Sequence, residues 1–179
     1  MTQAPLMDRI HITEDYDVPR VINGGWQLSA GHALERPLDL ADASRAFNRL
    51  IDMGFDTFDC ADIYTGVEDF FGGIIRERRK AGLRLPQIHT KFVPDLNDLA
   101  NVTPAYVENI ITRSLRRLGV ERLDAVQFHW WDYSVPGMVD VAGELVRLQE
   151  KGLIRLISTT NFNACLLYTS PSPRDMRRS

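Results

Sequence analysis

The sequence lacks the features that mark membrane, secreted and nucleic-acid-binding proteins. It has two cysteines, Cys60 and Cys165, too few for a disulfide framework, so a reducing, cytoplasmic compartment is expected. No apolar run approaches the roughly 20 residues that span a bilayer, and residues 1–20 lack the apolar core of a signal peptide. The formal net charge is −3, from 21 basic and 24 acidic residues, which excludes a strong nucleic-acid footprint. Neither a membrane nor a nucleic-acid partner is expected.

Short apolar runs alternate regularly with helical patterns along the chain. Strands are predicted at Val18–Leu28, Phe55–Ala61, Gln87–Val93, Leu123–His129 and Leu153–Thr159. Helices are predicted at about Asp39–Met53, Val67–Lys80, Thr103–Leu118 and Met138–Lys151, the third with Thr103 as N-cap and Pro104 as its first residue. This alternation is typical of right-handed βαβ units in a parallel sheet.

Two architectures fit such a sheet: a doubly wound open sheet and a (β/α)₈ barrel. No G-x-G-x-x-G follows the first predicted strand, which weighs against a dinucleotide-binding open sheet. The barrel is favoured. Since a whole barrel needs about 250 residues, the sequence predicts an α/β fold of the (β/α)₈ (TIM barrel) class, truncated after the fifth strand.

Three successive predicted strands end in ionisable residues. Asp59 closes the second and leads into Tyr64, Lys91 ends the third, and His129 ends the fourth. In a parallel barrel these carboxyl ends share one face, so the four side chains could perform general acid–base chemistry. Each has a plainer interpretation: a solvated rim residue for Lys91 or His129, a helix cap for Asp59, a core aromatic for Tyr64. Their joint occurrence favours a functional site.

Several motifs resemble those of the aldo-keto reductases. GFDTFDCADIYTGVEDFFG (Gly54–Gly72) is similar to the family signature G-[FY]-x-x-[FI]-D-[TS]-A-x-x-Y-G-x-x-E, with Cys60 at its Thr/Ser position. SLRRLGVERLDAVQFHWW (Ser114–Trp131) is similar to the second signature. Shorter matches are INGGWQL (Ile22–Leu28), IHTKF (Ile88–Phe92) and KGLIRLISTTNF (Lys151–Phe162), where Ser158 replaces the usual glycine.

The resemblance implies carbonyl reduction by a catalytic tetrad of Asp59, Tyr64, Lys91 and His129. NADPH would supply the hydride, which side chains cannot, and Tyr64 would give the proton. Lys91 would favour the phenolate, Asp59 would hold Lys91 in place and charged, and His129 would orient the carbonyl. The same residues would oxidise an alcohol in reverse.

The resemblance also implies cofactor and substrate contacts. It places Gly24, Gly25, Trp26 and Asp59 beside the cofactor, and the pair Thr160 and Asn161 on the nicotinamide carboxamide. The implied substrate pocket contains Trp26, Tyr64, His129 and Trp130, and Trp131 is a further candidate whose alternative is packing on the outer helices. The substrate would be a small-molecule carbonyl, and no metal is implied.

The last fifteen residues change in character. CLLYTSPSPRDMRRS (165–179) has neither helical nor strand periodicity, and it resembles the in-frame translation of a sequencing adapter. The sequence therefore predicts a partial barrel over residues 1–164 and a non-native tail over 165–179, with a Pro/Ser-rich disordered tail as the alternative. We expect the full-length parent to be an enzyme and this fragment to be inactive.

Two other function classes stay open. A non-enzymatic relative with the same fold, such as a channel β-subunit, would keep a binding role without turnover. A metal-dependent barrel hydrolase would need a cluster of histidine and carboxylate ligands. The second is weak, because none of the histidines forms an H-x-H pair; they are His11, His32, His89 and His129.

Overall fold

A computed structural model describes residues 7–30, 39–163 and 165 of the chain. Strands β3–β7 form a five-stranded parallel sheet in sequence order, and β1 and β2 form a separate antiparallel hairpin. The strands are β1 Arg9–Thr13, β2 Tyr16–Pro19, β3 Asn23–Gly24, β4 Thr57–Asp59, β5 Gln87–Phe92, β6 Leu123–Phe128 and β7 Ile154–Thr159. The helices are α1 Leu40–Asp52, α2 Val67–Lys80, α3 Pro104–Leu118 and α4 Met138–Glu150. Within these described ranges, no helix is long and apolar enough to cross a bilayer.

Side chains cap the starts of α1 and α3, and a glycine follows the end of every helix named above. Asp39 accepts hydrogen bonds from Ala41 N and Asp42 N at the start of α1, and the Thr103 hydroxyl accepts from Tyr106 N at the start of α3. Each helix is followed within two residues by a glycine with positive φ, a conformation that side chains disfavour; these are Gly54, Gly82, Gly119 and Gly152. The predicted alternation of strands and helices is thereby confirmed.

The chain divides into two compact units. The first is Met1–His89 with Arg117–Gly119, and the second is Thr90–Arg116 with Val120–Ser179. In the first unit, Phe47, Phe58, Phe70 and Phe71 pack as a cluster with ring centroids 5.1–5.5 Å apart. In the second unit, Phe128 packs against rings from three neighbouring segments: Phe92, Trp130 and Phe162.

The amino-terminal region differs from the prediction. The single strand expected over Val18–Leu28 is divided between the end of β2, the two-residue β3 and a 3₁₀ turn at Trp26–Leu28. The hairpin β1–β2 was not predicted, and the apolar residues of β1, Ile10 and Ile12, are both exposed. It is held instead by Arg9, which pairs with Asp17 of β2 and with the buried Asp56 just before β4.

The predicted tail, 165–179, lies outside the described residues apart from Cys165, which is exposed. The proposed boundary at residue 164 therefore stays a prediction.

Candidate active site

Asp59 ends β4 in the first unit and is half-buried. Its backbone carbonyl accepts a hydrogen bond of 2.8 Å from Gly25 N. A Cβ on Gly25 would lie 3.0 Å from that carbonyl oxygen and 3.0 Å from Val67 Cγ1. Glycine fits this position because any side chain would crowd the Asp59 carbonyl and Val67. At Gly24 a Cβ would meet no atom of the described residues within 4 Å.

Tyr64 lies on the loop between β4 and α2 and is half-buried. Two turns shape the loop: Tyr64 N donates to Ala61 O and Val67 N donates to Tyr64 O, each at 3.1 Å. Gly66, with φ of 82°, is the residue that turns the chain into α2. The position of Tyr64 therefore depends on a loop and not on a strand ladder.

Glu68 follows this loop and is buried, with 1% of its side chain exposed. Its Oε2 atom lies 3.2 Å from Arg117 Nη1. Glu68 thus forms an ion pair with a residue 49 positions away in the sequence.

His129 directly follows β6 in the second unit, and its backbone N donates to Phe92 O at 3.0 Å. The residue is 7% exposed. Burial lowers the pKa of its imidazole, while a backbone hydrogen bond with Thr160 opposes that effect. A neutral imidazole is the form that can both donate and accept a hydrogen bond. Lys91, in the same unit, is a half-buried residue of β5.

The two ring nitrogens of His129 have different surroundings. Nε2 is buried and has no hydrogen-bond partner among the described residues, and Nδ1 lies 3.4 Å from Asn161 Nδ2. The Trp131 ring meets the imidazole edge to face, with centroids 4.4 Å apart, and Trp131 Nε1 donates to Pro94 O at 2.7 Å. A buried polar atom without a partner is costly, and an incoming oxygen would satisfy it.

The residues after β7 complete this part of the site. Thr160 N donates to Phe128 O at 3.0 Å, which extends the strand pairing beyond β7. Asn161 has φ of 63°, a left-handed conformation that is uncommon for residues other than glycine. Its carbonyl accepts a 2.7 Å hydrogen bond from the Tyr133 hydroxyl. The loop after β6 thereby fixes the residue whose amide faces His129.

The three tryptophans differ in how well they could form a pocket wall. Trp26 and Trp131 are 44% and 47% exposed, whereas Trp130 is 1% exposed. The Trp130 indole donates to Val135 O and packs on Phe128. Of the adjacent Trp130 and Trp131, the exposed Trp131 beside His129 is therefore better placed to contact a substrate.

The predicted tetrad is distributed over the two units. Asp59 and Tyr64 belong to the first, and Lys91 and His129 belong to the second. Asp59, Lys91 and His129 lie in or directly after strands β4, β5 and β6, as predicted. Within residues 7–30, 39–163 and 165, no group of three or more His, Cys, Asp or Glu side chains is arranged to hold a metal ion.

Two residues that contact parts of the candidate site were not identified from the sequence. Tyr133 contacts the site through its hydroxyl, and an isolated tyrosine in a loop carries no signal for that role. Arg117 lies within the SLRRL motif, so its position could have been marked, but its partner Glu68 is 49 residues away.

Known proteins with similar sequences are aldo-keto reductases. The chain is 29% identical over 165 residues to a probable aldo-keto reductase from Glycine max, covering 88% of this chain and 45% of the relative. It is 28% identical to a methylglyoxal reductase from Yersinia pestis, covering 91% of this chain and 51% of the relative. The chain thus spans about half the length of the curated relatives it matches.

Solved structures agree on the fold. A Bombyx mori aldo-keto reductase in complex with NADP has a TM-score of 0.72 at 22% identity, with 97% of this chain and 55% of that chain covered. A thermostable aldo-keto reductase in complex with the inhibitor epalrestat has a TM-score of 0.74 at 23% identity, with 93% and 58% covered. These likenesses confirm the (β/α)₈ barrel class. The profile of the Aldo/keto reductase family matches residues 20–169, and the chain therefore belongs to the aldo/keto reductase family.

Proposed function

We propose that a complete barrel containing this chain reduces an aldehyde or ketone to an alcohol with NAD(P)H, reversibly. Family membership supports carbonyl reduction in general. The observation that carries the proposal for this chain is the buried Nε2 of His129, which has no partner among the described residues. A carbonyl oxygen is the hydrogen-bond acceptor that a neutral Nε2–H would take.

The residues present fit a nicotinamide cofactor. A Cβ on Gly24 would meet no atom within 4 Å in the part of the chain that the structure describes, and Asn161 is exposed, with its backbone held in a left-handed conformation. Thr160 and Asn161 would hold the carboxamide, and Gly24, Gly25, Trp26 and Asp59 would lie along the cofactor. The bound cofactor would supply a hydride to the carbonyl carbon. NADP is favoured, because a structural neighbour is described in complex with NADP.

Side chains of this chain would donate the proton and stabilise the donor. Tyr64 would donate its phenolic proton to the carbonyl oxygen, and Lys91 would stabilise the phenolate left behind. Asp59 would keep Lys91 charged and in place. His129 would donate from Nε2 to the same oxygen and orient the substrate, with Trp26 and Trp131 as apolar walls and Trp130 packed behind. The roles of Asp59, Tyr64, Lys91 and His129 are carried over from the family resemblance, which also implies Trp130 in the pocket; its place behind the walls follows from its burial.

We further propose that the 179-residue chain has no turnover by itself and that the complete protein works in the cytoplasm. The chain covers only about half of its relatives. The later units, where the family grips the adenosine phosphate, would have to come from the rest of the barrel.

The test compares wild-type complete protein with Tyr64→Phe and, as a matched control, Tyr106→Phe. Tyr106 lies on α3 and its hydroxyl accepts from Asp95 N. NADPH oxidation with a panel of aldehydes is measured, together with NADPH affinity by fluorescence. We expect Tyr64→Phe to lose at least about a hundredfold in kcat, as for loss of a general acid, with NADPH affinity retained. Undiminished turnover would refute the role of Tyr64. Negligible wild-type turnover with retained NADPH binding would favour a non-enzymatic relative.

A further inference from the structure

We propose that Arg117 is a positioning residue for Tyr64: its guanidinium clamps both sides of the loop that carries the proton donor. This inference rests on the proposed function, since it takes Tyr64 as the donor. The claim concerns the first unit alone, because Arg117, Tyr64, Asp62 and Glu68 all belong to it.

One nitrogen atom makes both contacts of the clamp. Arg117 Nη1 donates to the backbone carbonyl of Asp62 at 3.0 Å and to Glu68 Oε2 at 3.2 Å. Asp62 lies two residues before Tyr64 and Glu68 four residues after it. Within the loop, Tyr64 N donates to Ala61 O and Val67 N donates to Tyr64 O, each at 3.1 Å, and Thr65 O accepts from Ala30 N at 3.3 Å. A single donor thus fixes the span of the loop from outside.

Arg117 is itself held rigidly against α2. A Cβ on Gly72 would lie 2.1 Å from the Arg117 carbonyl oxygen, so the backbones of these two residues approach as closely as only glycine permits. Two residues on, the Gly119 carbonyl accepts from Arg79 Nη1 at 3.1 Å. The guanidinium therefore extends from a fixed backbone, which is what a positioning side chain requires.

The two Nη1 contacts of Arg117 have separable consequences, and its Nε also lies 3.9 Å from Oδ2 of the exposed Asp69. Glu68 is buried, and a buried carboxylate that loses its cationic partner is strongly destabilising. The Asp62 carbonyl, by contrast, lies in the loop, and losing its donor would loosen the segment around Tyr64. The free energy of unfolding should fall when Glu68 keeps its charge but loses Arg117. The Tyr64 loop should become less ordered whenever the Arg117–Asp62 hydrogen bond is lost.

Comparison of a double variant with Glu68→Gln separates these effects. Arg117→Met alone leaves a buried charge and could prevent folding. The double variant Arg117→Met/Glu68→Gln removes that charge together with the clamp, while Glu68→Gln alone keeps the donor to Asp62. Arg116→Met changes the adjacent, exposed arginine of α3 and serves as the matched control.

The first readout is amide hydrogen exchange in the 179-residue chain. In the double variant we expect Tyr64 N–H and Val67 N–H to exchange at least about tenfold faster than in Glu68→Gln, as loss of a charge-assisted hydrogen bond predicts. Phe55 N–H and Cys60 N–H, bonded to Leu50 O and His89 O, should change less than twofold. Equal acceleration of all four amides, or none at Tyr64 and Val67, would overturn the clamp.

The second readout is kinetic, in the complete protein. The double variant should lose about ten- to a hundredfold in kcat, because a misplaced proton donor slows the chemical step, with KM for the carbonyl changed less than threefold. Arg116→Met should match wild type. A rise in KM alone would overturn the positioning role. Wild-type inactivity would contradict the proposed function, while the exchange experiment would still decide the clamp.

Discussion

Tyr64 and His129 are positioned by different means. His129 directly follows a strand, its backbone is bonded to Phe92 O, and the Trp131 ring contacts its imidazole. Tyr64 lies in a loop whose two sides are joined by Arg117. His129 is thus positioned by a sheet and an aromatic contact, whereas the Tyr64 loop is held by its own turns and by the Arg117 guanidinium.

This difference predicts different sensitivities. A ring cluster responds to lost volume, since cores are close-packed and a cavity costs free energy. A clamp built on one close backbone approach and one ion pair responds to an added methyl group or a lost charge. Changes that are mild in one region should therefore be severe in the other.

The largest expected effect is removal of the Trp130 ring in the second unit. Trp130→Ala deletes a side chain that is 1% exposed and should lower the free energy of unfolding by about 3–5 kcal/mol. Trp131→Ala is the control, since its ring is half exposed and should cost about 1–2 kcal/mol. Urea unfolding measures both. Equal losses would mean that Trp130 is not a core residue.

In the first unit, an added methyl group should lower the free energy of unfolding by a slightly smaller amount. Gly72→Ala would place Cβ 2.1 Å from the Arg117 carbonyl oxygen, which forces backbone movement and should cost about 2–3 kcal/mol. Gly73→Ala, at the next residue of the same helix, would place a Cβ that meets no described atom within 4 Å and should stabilise the protein by up to about 1 kcal/mol. The difference in unfolding midpoint checks the pair, and similar midpoints would contradict the close approach.

Removing the charge of Arg9 in the β1–β2 hairpin tests another ionic contact of the first unit. Arg9→Met removes one of two arginines from the buried Asp56, leaving Arg84 at 2.6 Å, and should cost about 2 kcal/mol. Arg45→Met breaks an exposed pair with Asp42 and should cost less than about 0.5 kcal/mol. Urea unfolding of both variants measures these losses. If Arg9→Met lost no more free energy of unfolding than Arg45→Met, the contribution of the Arg9–Asp56 pair would be refuted.

The smallest expected effect is a pH dependence from His129. Burial lowers its pKa below the ordinary value of 6.5, so at pH values between the two the unfolded chain binds more protons than the folded one. The free energy of unfolding should therefore fall as pH drops below about 6.5 and level off below the folded pKa. His129→Gln should flatten that portion of the curve. An unchanged slope would show that another group titrates there.

The sequence predicted local features well and distant contacts poorly. The limits of α2 follow from the spacing of its apolar residues and the glycine after it, and Asp59 and His129 were located because apolar runs end there. The Arg117–Glu68 pair was beyond prediction, because its partners are 49 residues apart and only tertiary packing unites them. Trp130 and Trp131 are adjacent and chemically identical, so only the structure shows which of them contacts His129.

The central claim, carbonyl reduction by hydride transfer, is tested most directly by isotope transfer. The complete protein is incubated with an aldehyde and NADPH carrying deuterium at both C4 positions, and the alcohol is examined by mass spectrometry. The account predicts one deuterium on the carbinol carbon of the wild-type product and almost no product from Tyr64→Phe. An alcohol without deuterium, or equal labelled product from both proteins, would contradict it.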